Sequence, residues 1–366
     1  MCKMKKSFVS IGLFCAFVFL YNSCVTNTHL DGSSKTAPEW VINVNTVYPN
    51  SDWLAAVGYA NDRVSAENQA VAQLGKSIKQ RVEAETIARQ TLESAGAERV
   101  NLQKQTQLIS AYSASITTQS VLDEIAGIRI KEVWTASDRT VYAVAAVNRD
   151  EAGRYYAEKI AQYESAINSE ILYAINHEAT FDAVNSMIHA ATLAQETEPF
   201  IDILSVVHPS LYKKIDLSYQ SAQAVEVLAQ REVQKIVVGV YVAGDVSGRI
   251  AQAFANQIAQ AGFKSKLLSD FSESTIAEQN IPYCVKTQVS FHEVDMSANA
   301  KYEFVRFVVE SELFNVNTGQ VVLPYTINGR EAHNTVSEAR QRGVRSIEEK
   351  IASEYNNLFL DLLKAK

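Results

Sequence analysis

Hydrophobic and polar positions change period several times along the chain, and the changes mark its elements. A short apolar run at 53–60 has the length of a strand. It leads into a stripe in which Ala66, Ala70, Leu74, Ile78 and Val82 recur every fourth residue between Asn, Gln, Lys and Arg, the pattern of an amphipathic helix. From Glu83 to Ser115 the chain turns rich in Gln, Glu and Thr around Gly96, which fits a helical extension or an exposed insertion. Strand character returns at 121–134, where Ile128 and Ile130 alternate with Arg129 and Lys131, and at 140–147, which is apolar on both faces. The turn Ser137-Asp138-Arg139 joins the two as a hairpin. A strand apolar on both sides belongs in the middle of a covered sheet. Residues 38–148 therefore read as one α+β domain.

Residues 149–232 carry helix periodicity with almost no strand signal. Ile160, Ile167, Ile171 and Ala174 mark one face, and Phe181, Val184, Ile188 and Ala191 mark another after a break near Asn176. Pro199 and Pro209 are expected to cut the remainder into short pieces before a last helix at 220–232. This region reads as a helical spacer.

The third region, 233–366, opens with a buried strand at 235–242, turns at Ala243-Gly244-Asp245, and continues as a helix bearing Ile250, Phe254 and Ile258 that stops at Gly262. Val285, Thr287, Val289 and Phe291 alternate with polar neighbours, as do Val305, Phe307, Val309 and Leu313, and Asn317-Thr318-Gly319 turns into Val321-Val322-Leu323. A closing helix presents Val344, Ile347, Ile351, Tyr355, Leu358 and Leu362 at three- and four-residue spacing. The order of elements predicts an α/β sandwich domain, so the whole chain is α+β in class.

The amino-terminal residues follow a different logic. Lys3, Lys5 and Lys6 precede an apolar stretch from Phe8 to Leu20, and Leu20-Tyr21-Asn22-Ser23-Cys24 closes it. A basic start and a short apolar core describe an export signal, and the core is too short for a permanent membrane span. The closing residues resemble a lipobox in a relaxed form, with the small Ser23 before Cys24 and with Tyr21 and Asn22 bulkier than the strict pattern. That resemblance implies a signal peptide at 1–23 and a lipid on Cys24, with 24–37 as a polar tether. Several acyl chains, at about 0.8 kcal/mol per buried methylene, would make the attachment effectively permanent. Cys2 and Cys15 would leave with the signal and Cys24 would carry lipid, so Cys284 stands alone and no internal disulfide is expected. Its apolar neighbours Tyr283 and Val285 cast it as a small buried hydrophobe.

Charge narrows the partners. The 366 residues hold 34 basic and 41 acidic side chains, a formal charge of −7, and loss of Lys3, Lys5 and Lys6 with the signal lowers it by three. Nothing here tracks phosphate along a nucleic acid, and protein-surface docking on anionic headgroups is disfavoured.

Chemistry-bearing motifs are sparse. Gly239, Gly244 and Gly248 sit at a strand-to-helix junction without G-x-G-x-x-G or Gly-Lys-Ser/Thr, and Asp245 suits a helix cap better than a phosphate cradle. His177-Glu178 and His189 lie twelve residues apart, about 18 Å on a straight helix, so they cannot share a metal unless the chain folds back. His292, Glu293 and Asp295 end a strand as one local cluster with no second partner. No catalytic, cofactor or metal residue is assigned. Two regions are candidate interaction surfaces: Tyr155 with Tyr156, and the 301–325 hairpin as a sheet edge for strand addition.

Pro38-x-Trp40, the strand Ala56-Val57-Gly58-Tyr59-Ala60 and the alanine-rich helix after it resemble the Lpp-twenty family of bacterial surface lipoproteins, over roughly 37–150. Residues 235–366 are more distantly similar, in topology rather than motif, to the α/β domains of the curli secretion lipoprotein CsgG, the synthase activator LpoB and the flagellar protein FlgT. These resemblances imply a non-enzymatic envelope lipoprotein, held by its lipid at the outer membrane and facing the periplasm. Its expected partners are envelope proteins, as in a flagellar or secretion structure, or further copies of itself. The alternatives are a contact regulator of a cell-wall synthase and a cell-wall hydrolase using Glu293 and Asp295.

Overall fold

The computed structural model describes residues 36–96, 125–272, 276, 278–294 and 301–364. Two one-turn helices, α1 (Glu39–Ile42) and α2 (Val44–Val47), precede strand β1 (Trp53–Ala60), the long helix α3 (Arg63–Gly96) and the hairpin β2 (Arg129–Thr135) and β3 (Val141–Asn148). The sheet is antiparallel in the order β1-β3-β2, so the strand apolar on both faces is the central one. On one face Val141, Ala143, Ala145 and Val147 meet the α3 stripe, all five members of which are buried. On the other, Val144 and Ala146 lie under Trp40 and Tyr48.

Helix α3 packs against backbone at Gly58, where a Cβ would overlap the Ala66 carbonyl oxygen and the Ala70 nitrogen. A four-residue repeat drifts by about 40° per step around a 3.6-residue helix. The stripe therefore winds away from the sheet, and Thr86 reaches Asp202 on a neighbouring helix (3.0 Å). The polar segment after Glu83 is a helical extension as far as Gly96. The remainder of that segment, and the start of the strand expected from 121, lie outside the described residues.

The middle region is a helical hairpin, α4 (Arg149–Asn176) and α5 (Phe181–Val207), followed by the short α6 (Pro209–Tyr212) and by α7 (Ala222–Lys235). The expectation that Pro199 breaks a helix is overturned, because α5 runs straight through it. An interior proline costs about 3 kcal/mol. Full burial of Ile203 and Leu204, with Ile201 nearly buried, contributes about 1.5–3 kcal/mol apiece and outweighs it. Pro209 does mark a boundary, at the first turn of α6.

Helix α5 is buried nearly all round, and different stretches enter different cores. Phe181, Val184, Met187 and Ile188 belong to the carboxy-terminal core. Ala190, Ala191 and Ala194 pack with Ile167, Tyr219 and Val225. Ile201, Ile203, Leu204 and Val207 belong to the amino-terminal core. Arg149 at the start of α4 donates to the carbonyls of Val206 and Val207 (3.0 and 2.7 Å), satisfying acceptors that the end of α5 leaves open.

The third region has a five-stranded sheet, β4 (Val237–Ala243), β5 (Lys264–Leu267), β6 (Tyr283–Val294), β7 (Glu303–Asn315) and β8 (Val321–His333), in the order β5-β4-β6-β7-β8. The β4 pairings to β5 and β6 are parallel; β6-β7-β8 is an antiparallel meander. Helix α8 (Arg249–Gln260) connects β4 to β5. The chain closes with α9 (Val336–Lys350), a π-turn at Ile351–Tyr355 and α10 (Asn356–Lys364). The fold is mixed α+β.

The π-turn corrects the expected closing stripe. Ile347, Ile351 and Tyr355 are buried as the spacing predicts and Val344 and Leu362 pack half-buried against the core, but the buried positions beyond Tyr355 are Phe359, Leu360 and Leu363, and Leu358 is 40% exposed. One wide turn shifts the register by one residue, so a strict four-residue repeat stays on the core instead of rotating away.

Candidate functional site

Cys24 lies outside the described residues, as does Asp295. Tyr155 and Tyr156, expected together on a docking face, separate. Tyr155 is 44% exposed, whereas Tyr156 is 1% exposed and its hydroxyl oxygen accepts from the Ala126 amide (2.9 Å). Tyr156 is thus a core residue and not part of a docking face: adjacent helical positions point about 100° apart, so one ring faces solvent and the other enters the core. The rings meet edge to face at 5.2 Å. The 301–325 hairpin is corrected in part. Its β7 limb is paired on both sides, and only its β8 limb lies at a sheet edge, the other edge being β5.

A stronger surface arises where three strands bring aromatics into one row. Tyr59 pairs with Tyr142, which pairs with Trp134 on its other side. Ring centroids are 6.0 Å and 5.6 Å apart along the row. The rows beside it on this face carry small residues, including Ala55, Val57, Val144 and Ala146, and Trp40 and Tyr48 cover them. Trp134 and Tyr142 pack half-buried against that cover, and the row ends in Tyr59, which is 58% exposed. A shallow depression at its end is lined by Asn61, Asp62, Ser65 and Thr140 beside the two tyrosines. Hydrogen bonds from Ser65, through backbone and side chain, hold the Asp62 carboxyl below its ordinary value. Tyr48 donates to Glu132 (2.8 Å), and burial followed by that contact pushes the Tyr48 phenol up. Tyr59 and Tyr142 were legible only as strand residues; their meeting depends on register.

The other sequence candidates hold structural partners. Asp245 accepts from the Ile250 and Ala251 amides (2.8 and 3.0 Å), while Gly248, at φ 70°, occupies the cap position itself. The chain folds back between His177 and His189, at the turn from α4 to α5, yet the two rings have separate partners: the His177 Nδ1 lies 2.9 Å from the Tyr173 carbonyl and that of His189 3.0 Å from Glu170. Glu293 is exposed and pairs with Arg340 (3.3 Å). Cys284 is fully buried, and burial pushes its thiol up to about 12. Among the described residues no group of three His, Cys, Asp or Glu side chains is placed to hold a metal, and no helix is long and apolar enough to cross a membrane.

No family model and no curated protein matches the chain. Among solved structures it is similar to the secreted protein HP1454 from Helicobacter pylori, at 11% identity and TM-score 0.35, covering 86% of this chain and 99% of that one. It is also similar to the PelC dodecamer from Paraburkholderia phytofirmans, at 18% identity and TM-score 0.25 over 36% of this chain and 89% of that one. Lipoprotein GNA1162 from Neisseria meningitidis aligns at 14% identity and TM-score 0.22, over 32% of this chain and 99% of that one. None of these likenesses is strong enough to bear on the role of this chain.

Proposed function

We propose that this chain is a bacterial envelope lipoprotein, anchored through lipid on Cys24 and facing the periplasm, that acts without catalysis by binding protein partners in an envelope assembly. The observation that carries the proposal is the amino-terminal pattern: three lysines, an apolar core from Phe8 to Leu20, Ser23-Cys24, and a polar tether before the folded body. The aromatic row Tyr59–Tyr142–Trp134 supports partner binding, because it sets an exposed tyrosine beside a half-buried tyrosine and tryptophan on a rigid sheet, and these are side chains that dominate protein interfaces. The resemblance of the two α+β regions to envelope assembly lipoproteins points the same way, with a flagellar or secretion structure as the natural setting.

Two measurements test it. A fatty-acid analogue should label the wild-type protein and not Cys24→Ala, and equal labelling of both removes the anchor. A photo-reactive residue at position 59 should capture a reproducible envelope protein in intact cells. Capture of a cell-wall synthase instead of an assembly component would select the regulator, and no capture from 59 would remove the aromatic row as the binding face.

A further inference from the structure

Strands β6, β7 and β8 run on past the end of β4, whose last residue Ala243 pairs with Gln288. Beyond that point the three strands form an arm with two unlike faces. Phe291, Phe307 and Gly329 face α9: a Cβ on Gly329 would overlap the Phe307 ring, and one on Gly343 of α9 would crowd Phe291. The adjacent row on the opposite face is His292–Arg306–Arg330, aligned by the pairings His292 to Arg306 and Arg306 to Arg330, and all three residues are exposed.

The charges on this arm are sorted by face. Glu293 and Glu331 share a row with buried Val305 on the α9 side, where Arg340 pairs with Glu293. The outer face carries the bases. The nearest acid on that face among the described residues is Glu310, four residues along β7 from Arg306, about 13 Å away. Asp245 in the neighbouring turn is committed to helix amides. Neither His292 nor Arg306 has an ion-pair partner among the described residues, and the Arg330 guanidinium sits over the Phe304 ring at 4.1 Å. Like charges directly opposite on neighbouring strands are destabilising. Strands lie about 4.8 Å apart, so the three backbone positions fall within about 10 Å of one another, a span over which long arginine side chains can converge on one oxyanion.

We propose that His292, Arg306 and Arg330 form a binding site for a phosphate-type oxyanion. Guanidinium groups offer planar, paired donors that match phosphate oxygens, and His292 adds a further donor at the end of the row. The acidic whole-chain charge keeps the site from acting as a general polyanion surface; recognition is of a single phosphate group.

The test titrates the full chain with inorganic phosphate at fixed ionic strength, following the arginine Nε–Hε and histidine ring resonances, and in parallel measures co-sedimentation with phosphatidylglycerol and phosphatidylcholine vesicles. Saturable shifts of His292 and Arg330 whose apparent affinity weakens about tenfold or more in Arg306→Gln, and not in Lys286→Gln at the far end of the same face, support a soluble phosphate ligand. Preferential sedimentation with phosphatidylglycerol that Arg306→Gln abolishes supports a lipid headgroup as the source. Circular dichroism checks the fold of each variant, and Arg330→Gln replaces Arg306→Gln if the latter is unfolded. The proposal is overturned if neither probe gives a saturable, arginine-dependent response, or if chloride reproduces the phosphate shifts.

Discussion

At the scale of single residues, two glycines near the same helix have opposite roles. Gly58 has no room for a Cβ against the α3 backbone, whereas Gly75, inside α3, has nothing within 4 Å of where a Cβ would stand. Gly58→Ala should lower stability by about 3 kcal/mol through overpacking, and Gly75→Ala should raise it by about 0.8–1 kcal/mol through helix propensity. Urea midpoints of the two variants check both signs. Cys284 gives a pH-dependent prediction. Its thiol value rises from the ordinary 9.0 to about 12 on folding, so the neutral form is favoured in the folded state. The resulting stability is complete below about pH 9 and is lost as pH rises from there towards 12, because the unfolded chain releases the proton first. The stability difference between wild type and Cys284→Ala should therefore shrink between about pH 8 and 10.5 in urea titrations. In a chain with Cys2, Cys15 and Cys24 replaced by serine, Cys284 should react with a thiol reagent only on unfolding. An increasing difference, or rapid labelling of the folded chain, contradicts this account.

At the scale of elements, the closing helix shows how one local irregularity redirects a hydrophobic stripe. The spacing of Ile347, Ile351 and Tyr355 continues to Phe359 and Leu363 only because the π-turn at Ile351–Tyr355 supplies a wide turn. Phe359 meets Phe181 and Phe263 edge to face at 5.7 and 5.4 Å, so Phe359→Ala should cost about 3–5 kcal/mol. Leu358→Ala, one residue earlier and partly exposed, should cost under about 1.5 kcal/mol. Thermal or urea melts that ranked the two in the reverse order would place the register elsewhere. The helix through Pro199 follows a related rule: a local breaker yields where its neighbours are buried on several sides.

At the scale of the whole molecule, α5 joins two cores that sequence periodicity separates with a spacer. Tryptophan occurs only at Trp40, Trp53 and Trp134, all in the amino-terminal domain, so its fluorescence reports that domain alone. Phe254→Ala, in the carboxy-terminal core, should nevertheless lower the midpoint of the tryptophan transition together with that of helix circular dichroism, as one cooperative unit. The coupling runs through the opposite ends of α5, reinforced by the Arg149 contacts to Val206 and Val207. An unmoved tryptophan transition would mean that the two cores unfold independently. The phosphate-type site belongs to this scale too, because it assembles from three strands whose basic residues are 14 and 24 positions apart in the chain.

By itself the sequence determined the kinds of element and their order, because periods of two and of three to four residues report which faces each element buries. The stripe from Ala66 to Val82, the central strand ending near Val147 and the meander after Tyr283 were legible in that way. The tertiary structure alone decided which side of a helix Tyr155 and Tyr156 occupy, that α5 survives Pro199, and which rows Tyr59, Tyr142 and Trp134, or His292, Arg306 and Arg330, come to share. Periodicity is a property of one segment and is written in its own residues. Register between strands, and the burial that offsets a local cost, depend on segments far away in the chain.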